Sequence, residues 1–227
     1  MLAIASQRRW NADLAHRLES RTGHRFVSIG TKAELTAESL ARLGVTRVFL
    51  PHWSHLIPAD VFDQFECIIF HMTDLPFGRG GSPLQNLIVR GHSDTMITAL
   101  RCTQELDAGP VYLKHPLSLH GSAEEIFRRA DRTIEEMIVT IIETNPVPAP
   151  QVGEVVTFAR RRPDDGNWGE CHSLDQVYDM IRMLDADGYP NAFIDVGEFR
   201  VLFSRAARTA DGVTADVRII ARPFPSA

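Results

Sequence analysis

Thr46-Arg47-Val48-Phe49-Leu50 is a β-branched and apolar run. Ala59-Asp60-Val61-Phe62-Asp63-Gln64-Phe65 has the spacing of a short helix. Glu66-Cys67-Ile68-Ile69-Phe70-His71 is a second apolar run. Strand, helix and strand in that order predict a crossover between neighbouring strands of one sheet, and the pattern repeats outward on both sides. Upstream, Leu2 to Ala5 and Arg25 to Ile29 read as strands. Trp10, Leu14 and Leu18 have helical spacing, and Thr31 with Glu34 predicts a capping box for a helix that stops at Gly44. Downstream, Pro83 to Arg90 is helical with proline in its first turn. Thr95 to Arg101 and Val111 to Ser118 are strands, and Ser122 with Glu125 caps a helix to Thr144. The expected fold is α/β with a mostly parallel sheet covered on both faces. In such sheets ligands gather at the carboxyl ends of strands, where His71 falls.

The texture changes at Asn145-Pro146-Val147-Pro148-Ala149-Pro150-Gln151, where three prolines favour an extended connector. The expected organisation is a domain over 1–145, a proline-rich linker over 146–152, and a small α+β region over 153–227. That last region reads as Glu154–Ala159 extended, a helix from Ser173 and Gln176 to about Leu184, and strands at 192–194, 199–204 and 215–220. At under about eighty residues it is expected to pack on the first domain.

Of the 227 residues, 44% are hydrophobic and 23% charged, the usage of an ordinary globular chain. A net charge of -5 argues against a dedicated nucleic-acid binder. The three cysteines, Cys67, Cys102 and Cys171, are too few and too far apart for a disulfide framework or a zinc cluster. No apolar run reaches membrane-span length, and the charges at Arg8 and Arg9 follow the apolar N-terminus, the reverse of a signal peptide. The expectation is a soluble, cytoplasmic protein with no membrane partner. His52, His55 and His71 fit no metal-binding spacing.

His71 is followed by Met72-Thr73-Asp74-Leu75-Pro76-Phe77-Gly78-Arg79-Gly80-Gly81-Ser82-Pro83. A strand-end histidine by itself commonly just bonds a nearby backbone group. The glycines let backbone N–H groups come close to a ligand, although no dinucleotide or Walker fingerprint is present. Asp107-Ala108-Gly109 follows a later strand and taken alone is an ordinary turn.

His71, Leu75-Pro76, Arg79-Gly80, Pro83 and Gln85 stand at the offsets of the formyltransferases that use a formylated folate. Thr95 to Asp107-Ala108-Gly109 is similar to a second element of that family. Trp53-Ser54-His55-Leu56 with Pro58 resembles its pterin-holding loop. Phe70 to Ile88, Glu105 to Tyr112, Leu117-Ser118-Leu119 and Ile181 to Asp185 with Gly188-Tyr189-Pro190 resemble more specifically the UDP-4-amino-4,6-dideoxy-sugar N-formyltransferases of pseudaminic acid biosynthesis. The resemblance implies a Rossmann-like formyltransferase domain and direct acyl transfer from N10-formyltetrahydrofolate, without metal, to the 4-amino group of a UDP-linked amino sugar.

In that reading His71 is the base and Asp107 orients it, stabilises its charged form or relays the proton. The wider family's asparagine falls on Ile69, which donates nothing, so either Gln85 or Asn86 is expected to supply an amide for the developing oxyanion, or a backbone N–H or protonated His71 does that work alone. Trp53, Ser54, His55, Leu56, Asp107 and Gly109 would hold the folate. Thr73, Asp74, Arg79, Gly80 and Gly81 would face the acceptor, with capping of the loop as the competing role for Asp74. From the tail, Arg161 and Arg182 would hold the diphosphate, and Trp168 and Tyr189 the base. A homodimer is compatible with the apolar tail strands, and no nucleic-acid partner is expected. The competing readings are a methionyl-tRNA-type enzyme, a formyl-folate hydrolase and a non-catalytic folate or nucleotide-sugar binder.

Overall fold

A computed structural model describes residues 1–222. The chain forms two compact units, and neither is one continuous stretch of sequence. The first gathers Met1–Gly80, Thr95–Leu117 and Arg128–Phe158. The second gathers Gly81–Asp94, Ser118–Phe127 and the chain from Ala159 onward.

The first unit is built on a six-stranded sheet. Its strands are β1 (Leu2–Ala5), β2 (Phe26–Ile29), β3 (Arg47–Leu50), β4 (Glu66–His71), β6 (Asp94–Arg101) and β7 (Val111–Ser118), in the order β2-β1-β3-β4-β6-β7. The pairs β1–β2, β1–β3 and β3–β4 are parallel, and β4 runs antiparallel to β6. The mostly parallel α/β fold expected from the sequence is the one observed. Alternate residues serve opposite faces, so Ala3, Ala5, Val48, Leu50 and Cys67 enter one core cluster with Leu35, Leu40 and Val61. Half-buried Trp53 and Ile69 pack against it.

Helices α1 (Leu14–Thr22), α2 (Ala37–Arg42) and α3 (Ala59–Gln64) connect the first four strands. The cap of α2 differs from the sequence expectation. Thr36, not Thr31, caps it by accepting from Ser39 N at 3.2 Å. Glu34 instead closes the preceding turn, its Oε2 accepting from Gly30 N and Thr31 N at 2.8 and 3.1 Å. The long helix α5 (Ala123–Thr144) begins at the expected box: Glu125 N donates to Ser122 Oγ at 3.3 Å, and Ser122 N to Glu125 Oε2 at 2.8 Å. Its apolar stripe of Ala130, Ile134, Met137, Ile138 and Ile141 is buried.

The glycine-rich segment after β4, expected as a turn, contains a short strand. β5 (Phe77–Gly80) pairs in parallel with β8 (Val156–Phe158), matching Phe77 to Val156 and Gly80 to Phe158. Gly80 has φ 105° and lies so close to Phe158 that a Cβ would stand 2.5 Å from its carbonyl oxygen. The proline-rich stretch is likewise no free linker. Ala149 exchanges both backbone hydrogen bonds with Val111, at 2.7 and 2.9 Å, and belongs to the first unit.

The second unit contains α4 (Pro83–Val89), α6 (Leu174–Arg182) and an antiparallel sheet in the order β11-β10-β9. Its strands are β9 (Ala192–Val196), β10 (Phe199–Arg208) and β11 (Val213–Ala221). Ser173 caps α6 as expected, accepting from Gln176 N at 3.2 Å. The Arg200 guanidinium sits 3.6 Å from the centroid of the Phe193 ring, which explains how a sheet this small keeps a buried aromatic beside a cation. No helix among the described residues is long and apolar enough to cross a membrane.

Candidate active site

The last residue of β4 is His71, and its buried imidazole is held from both sides. Nε2 lies 2.8 Å from Gly78 O. A carbonyl only accepts, so Nε2 carries the hydrogen and donates, which leaves Nδ1 with the lone pair in the neutral ring. Nδ1 faces Asp107 Oδ2 at 3.6 Å. The basic nitrogen is therefore aimed at a buried carboxylate that stabilises it once it is protonated.

Asp107 sits in the left-handed region at φ 52°, a conformation Asp adopts more readily than most residues. Its Oδ2 accepts from Gly80 N at 2.9 Å. The turn is pressed onto the end of β6, where a Cβ on Gly109 would lie 1.8 Å from Arg101 O. Thr73 Oγ1 donates to Gly78 O at 3.3 Å, and Thr98 Oγ1 donates to Thr73 O at 2.7 Å, so the loop carrying Gly78 is tied to β6. Leu75–Pro76 is a cis peptide.

The remaining residues expected at the site divide into two groups. Ser54, His55 and Leu56 are exposed, and Leu56 keeps 76% of its surface open to solvent. His55 Nε2 meets Gln7 Oε1 at 3.0 Å and its ring packs edge-on against Trp53. The buried Trp53 Nε1 has no hydrogen-bond partner. Asp74 does not cap loop amides with its carboxylate, which pairs with Lys114 Nζ at 2.5 Å. Arg79 spends its guanidinium on Gln151 and Glu105.

In the second unit several expected ligand groups are committed to the fold. Gln85 Nε2 donates to Met183 O at 3.1 Å. Asn86 Nδ2 lies within 3.1 Å of the carbonyls of Gly81, Ser82 and Ala159, and its Oδ1 accepts from Arg90. These carboxamides bond α4 to backbone carbonyls of its own unit, which accounts for amides buried in an apolar helix. Arg182 is buried, its Nη1 donating to Leu119 O and Gly121 O at 2.6 and 2.9 Å and its Nε to Asp179 at 2.6 Å, so both nitrogens are engaged within the fold. Tyr189 stacks on Phe127, and Trp168 packs edge-on against Phe203. Arg161 donates to Asp165 O, and burial pushes its pKa down. Gly81 lies against Arg160, where a Cβ would come within 2.5 Å.

Sequence reasoning missed Gln151 and Thr98, and it singled out Gly78 for its backbone N–H where the structure uses its carbonyl. No group of three metal-ligating side chains occurs among the described residues. A cleft of about 710 Å³ opens at the opposite, amino-terminal edge of the sheet, around Met1, Arg25, Arg47 and Glu66. It shares no residue with the His71 site.

A Rossmann-like α/β sheet with a buried histidine–aspartate pair at its carboxyl edge is the class of fold and site that this chain presents. Residues 163–220 match the family described as methionyl-tRNA formyltransferase, C-terminal domain. The structure of a methionyl-tRNA formyltransferase from Clostridium thermocellum is 42% identical, with a TM-score of 0.94 over 97% of this chain and 99% of that one. The chain belongs to the formyltransferase family. A methionyl-tRNA formyltransferase from Cutibacterium acnes is 29% identical over 170 residues, 71% of this chain and 54% of that protein. The chain thus spans about half the length of the curated relatives it matches. A sugar N-formyltransferase from a Shewanella species shares the fold, with a TM-score of 0.72 over 92% of this chain and 98% of that one, at 14% identity.

These likenesses overturn two expectations. The UDP-amino-sugar acceptor gives way, because the sugar enzyme shares little beyond the fold while the methionyl-tRNA enzyme is similar along the whole chain. The exclusion of nucleic acid gives way with it. A net charge of -5 sums the whole chain and says nothing of a local patch such as the exposed Arg160 and Arg162.

Proposed function

We propose that this chain transfers the formyl group of N10-formyltetrahydrofolate to the amino group of methionyl-tRNA. The observation that carries the chemistry is the lone pair of His71 Nδ1, left free by the bond from Nε2 to Gly78 O and aimed at Asp107. The likeness to methionyl-tRNA formyltransferases supports the acceptor.

The Trp53–Leu56 loop suits a flat heterocycle with apolar faces and polar edges. It offers an unpartnered buried indole N–H and an open Leu56. The folate, when bound, supplies a formyl group activated on nitrogen. His71 Nδ1 takes the proton of the attacking amine, and Asp107 stabilises the imidazolium that results. The Gly80 N–H holds the Asp107 carboxylate in place. The same Nδ1–H is then the donor for the departing nitrogen. Ile69 contributes shape and no hydrogen bond. Exposed Arg160 and Arg162 offer positive charge to the phosphates of the acceptor stem.

The test is incubation with N10-formyltetrahydrofolate and methionyl-tRNA, followed by mass detection of formyl-methionine after deacylation. Formyl-methionine formed faster than in an enzyme-free control is expected, with a rate that falls as salt rises. Absence of product at enzyme concentrations matching the tRNA would refute the assignment, and formate release without acceptor would replace it by hydrolysis.

A further inference from the structure

The Gln151 carboxamide has four hydrogen-bonding positions, and all four are used. Nε2 donates to Asp107 O at 2.8 Å and to Gly109 O at 2.9 Å. Oε1 accepts from Arg79 Nη2 at 2.8 Å and from Arg79 Nε at 3.1 Å. No other side chain offers two adjacent donors and a two-fold acceptor on a stem of this length. The donors grip the carbonyls on either side of Ala108, within the turn that carries Asp107. The acceptor holds the arginine next to Gly80, whose N–H binds the Asp107 carboxylate.

We infer that Gln151 is the positioning residue of this site, setting where the Asp107 carboxylate stands relative to His71. Asp107 is a non-glycine residue at positive φ, a conformation that persists only where the surroundings hold it. Three contacts do so. Gly109 is flush against Arg101 O, Gly80 N holds the carboxylate, and Gln151 clamps the backbone on both sides. The first two fix single points, whereas the clamp joins the backbone on both sides of Ala108 to Arg79 of β5 through one side chain. Ala149, two residues before Gln151, is itself anchored by its paired bonds to Val111, so the clamp has a firm base.

The inference rests on the roles proposed above for His71 and Asp107, so its test has a readout that needs no substrate. In ¹⁵N spectra the Gly80 amide reports its bond to Asp107 Oδ2. In Gln151→Ala this resonance is expected to move most of the way to its position in Asp107→Ala, with amide exchange at least about tenfold faster. Gln151→Glu, near in shape, keeps the acceptor for Arg79 and lacks both donors, and should shift Gly80 in the same direction. Amides of the β1–β3 sheet serve as the folding control. Formylation of methionyl-tRNA by either variant should lose roughly 10²-fold in kcat, the cost of a misplaced reacting group. KM for the folate should stay within about threefold, because the Trp53–Leu56 loop is untouched. An unmoved Gly80 resonance in both variants overturns the inference whatever the activity, as does a moved resonance with kcat unchanged. Should the wild type form no formyl-methionine, the proposed function fails while the Gly80 spectra still decide the role of Gln151.

Discussion

Gly109→Ala is the substitution whose cost is set most directly by geometry. The added Cβ would lie 1.8 Å from Arg101 O, 2.9 Å from that carbonyl carbon and 3.2 Å from Thr103 Cγ2. A close carbon–oxygen contact is about 3.3 Å, so the turn must retreat by about 1.5 Å. Two of the neighbouring atoms are backbone of β6, and no flexible side chain can give way. Overpacking of this kind costs about 1–3 kcal/mol. The retreat also strains the bonds from Gln151 Nε2 to Asp107 O and Gly109 O and from Arg101 N to Pro110 O, each worth about 1 kcal/mol. A total of about 4 kcal/mol lowers Tm by roughly 8–16 °C for a chain of this size. The assay is calorimetry beside Gly23→Ala, where no atom lies within 4 Å and only φ 71° opposes a side chain, at about 1 kcal/mol. A Gly109→Ala midpoint within about 3 °C of wild type, or no lower than that of Gly23→Ala, would refute the reasoning.

His71→Asn should lose about 10²–10⁴-fold in kcat for formyl transfer while folate binding, followed by tryptophan fluorescence, changes little; a loss under fivefold would remove His71 as the base. Burial lowers the His52 pKa to about 4 and raises that of Asp131 to about 6. The His52 contribution to stability is thus complete above about pH 6.5 and lost as pH falls toward 4. The Asp131 contribution is complete below about pH 3.8 and lost as pH rises through 6. Asp131→Asn is expected to stabilise the fold by roughly 2–3 kcal/mol at pH 7 and leave urea midpoints that rise monotonically from pH 4 to 6.5; a wild-type-like pH profile would count against it. Burial pushes the Cys67 thiol up to about 12 and Cys102 up to about 11, so native protein should react with a thiol reagent at the half-buried Cys171 first, checked by peptide mapping. Arg182→Met should cost about 3–5 kcal/mol in urea unfolding, since two carbonyls and Asp179 lose their buried partner.

How much was legible in the sequence depended on whether the partner of each residue lies nearby in the chain. β4 and β7 match their expected bounds because apolar and β-branched runs carry their own signal. The boxes before α5 and α6 are equally local, three residues from donor to acceptor. Phe77-Gly78-Arg79-Gly80, with its poor strand propensity, has the sequence of a turn. It is a strand only because β8 supplies a partner more than seventy residues later. Thr31 and Glu34 have the composition of a helix start, and Glu34 does collect backbone N–H groups, but Thr36 is placed to cap the helix. At the site, His71 and Asp107 were found from offsets shared with a family. Gln85 and Asn86 carried the right chemistry, and only their neighbours in space show that carbonyls of the fold consume it.

Sequence by itself determined the alternation of strand and helix, the parallel sheet, the position of His71 at a strand end and the kinship with formyltransferases. Each of these follows from periodicity or from fixed offsets along one stretch of chain. Tertiary structure alone decided which nitrogen of His71 faces Asp107, where the Asp107 carboxylate stands, and that a glutamine among prolines bonds both Arg79 and the Asp107 turn. Those features are hydrogen bonds between groups that the fold brings within about 3 Å, and a hydrogen bond depends on distance and direction, which no local pattern encodes.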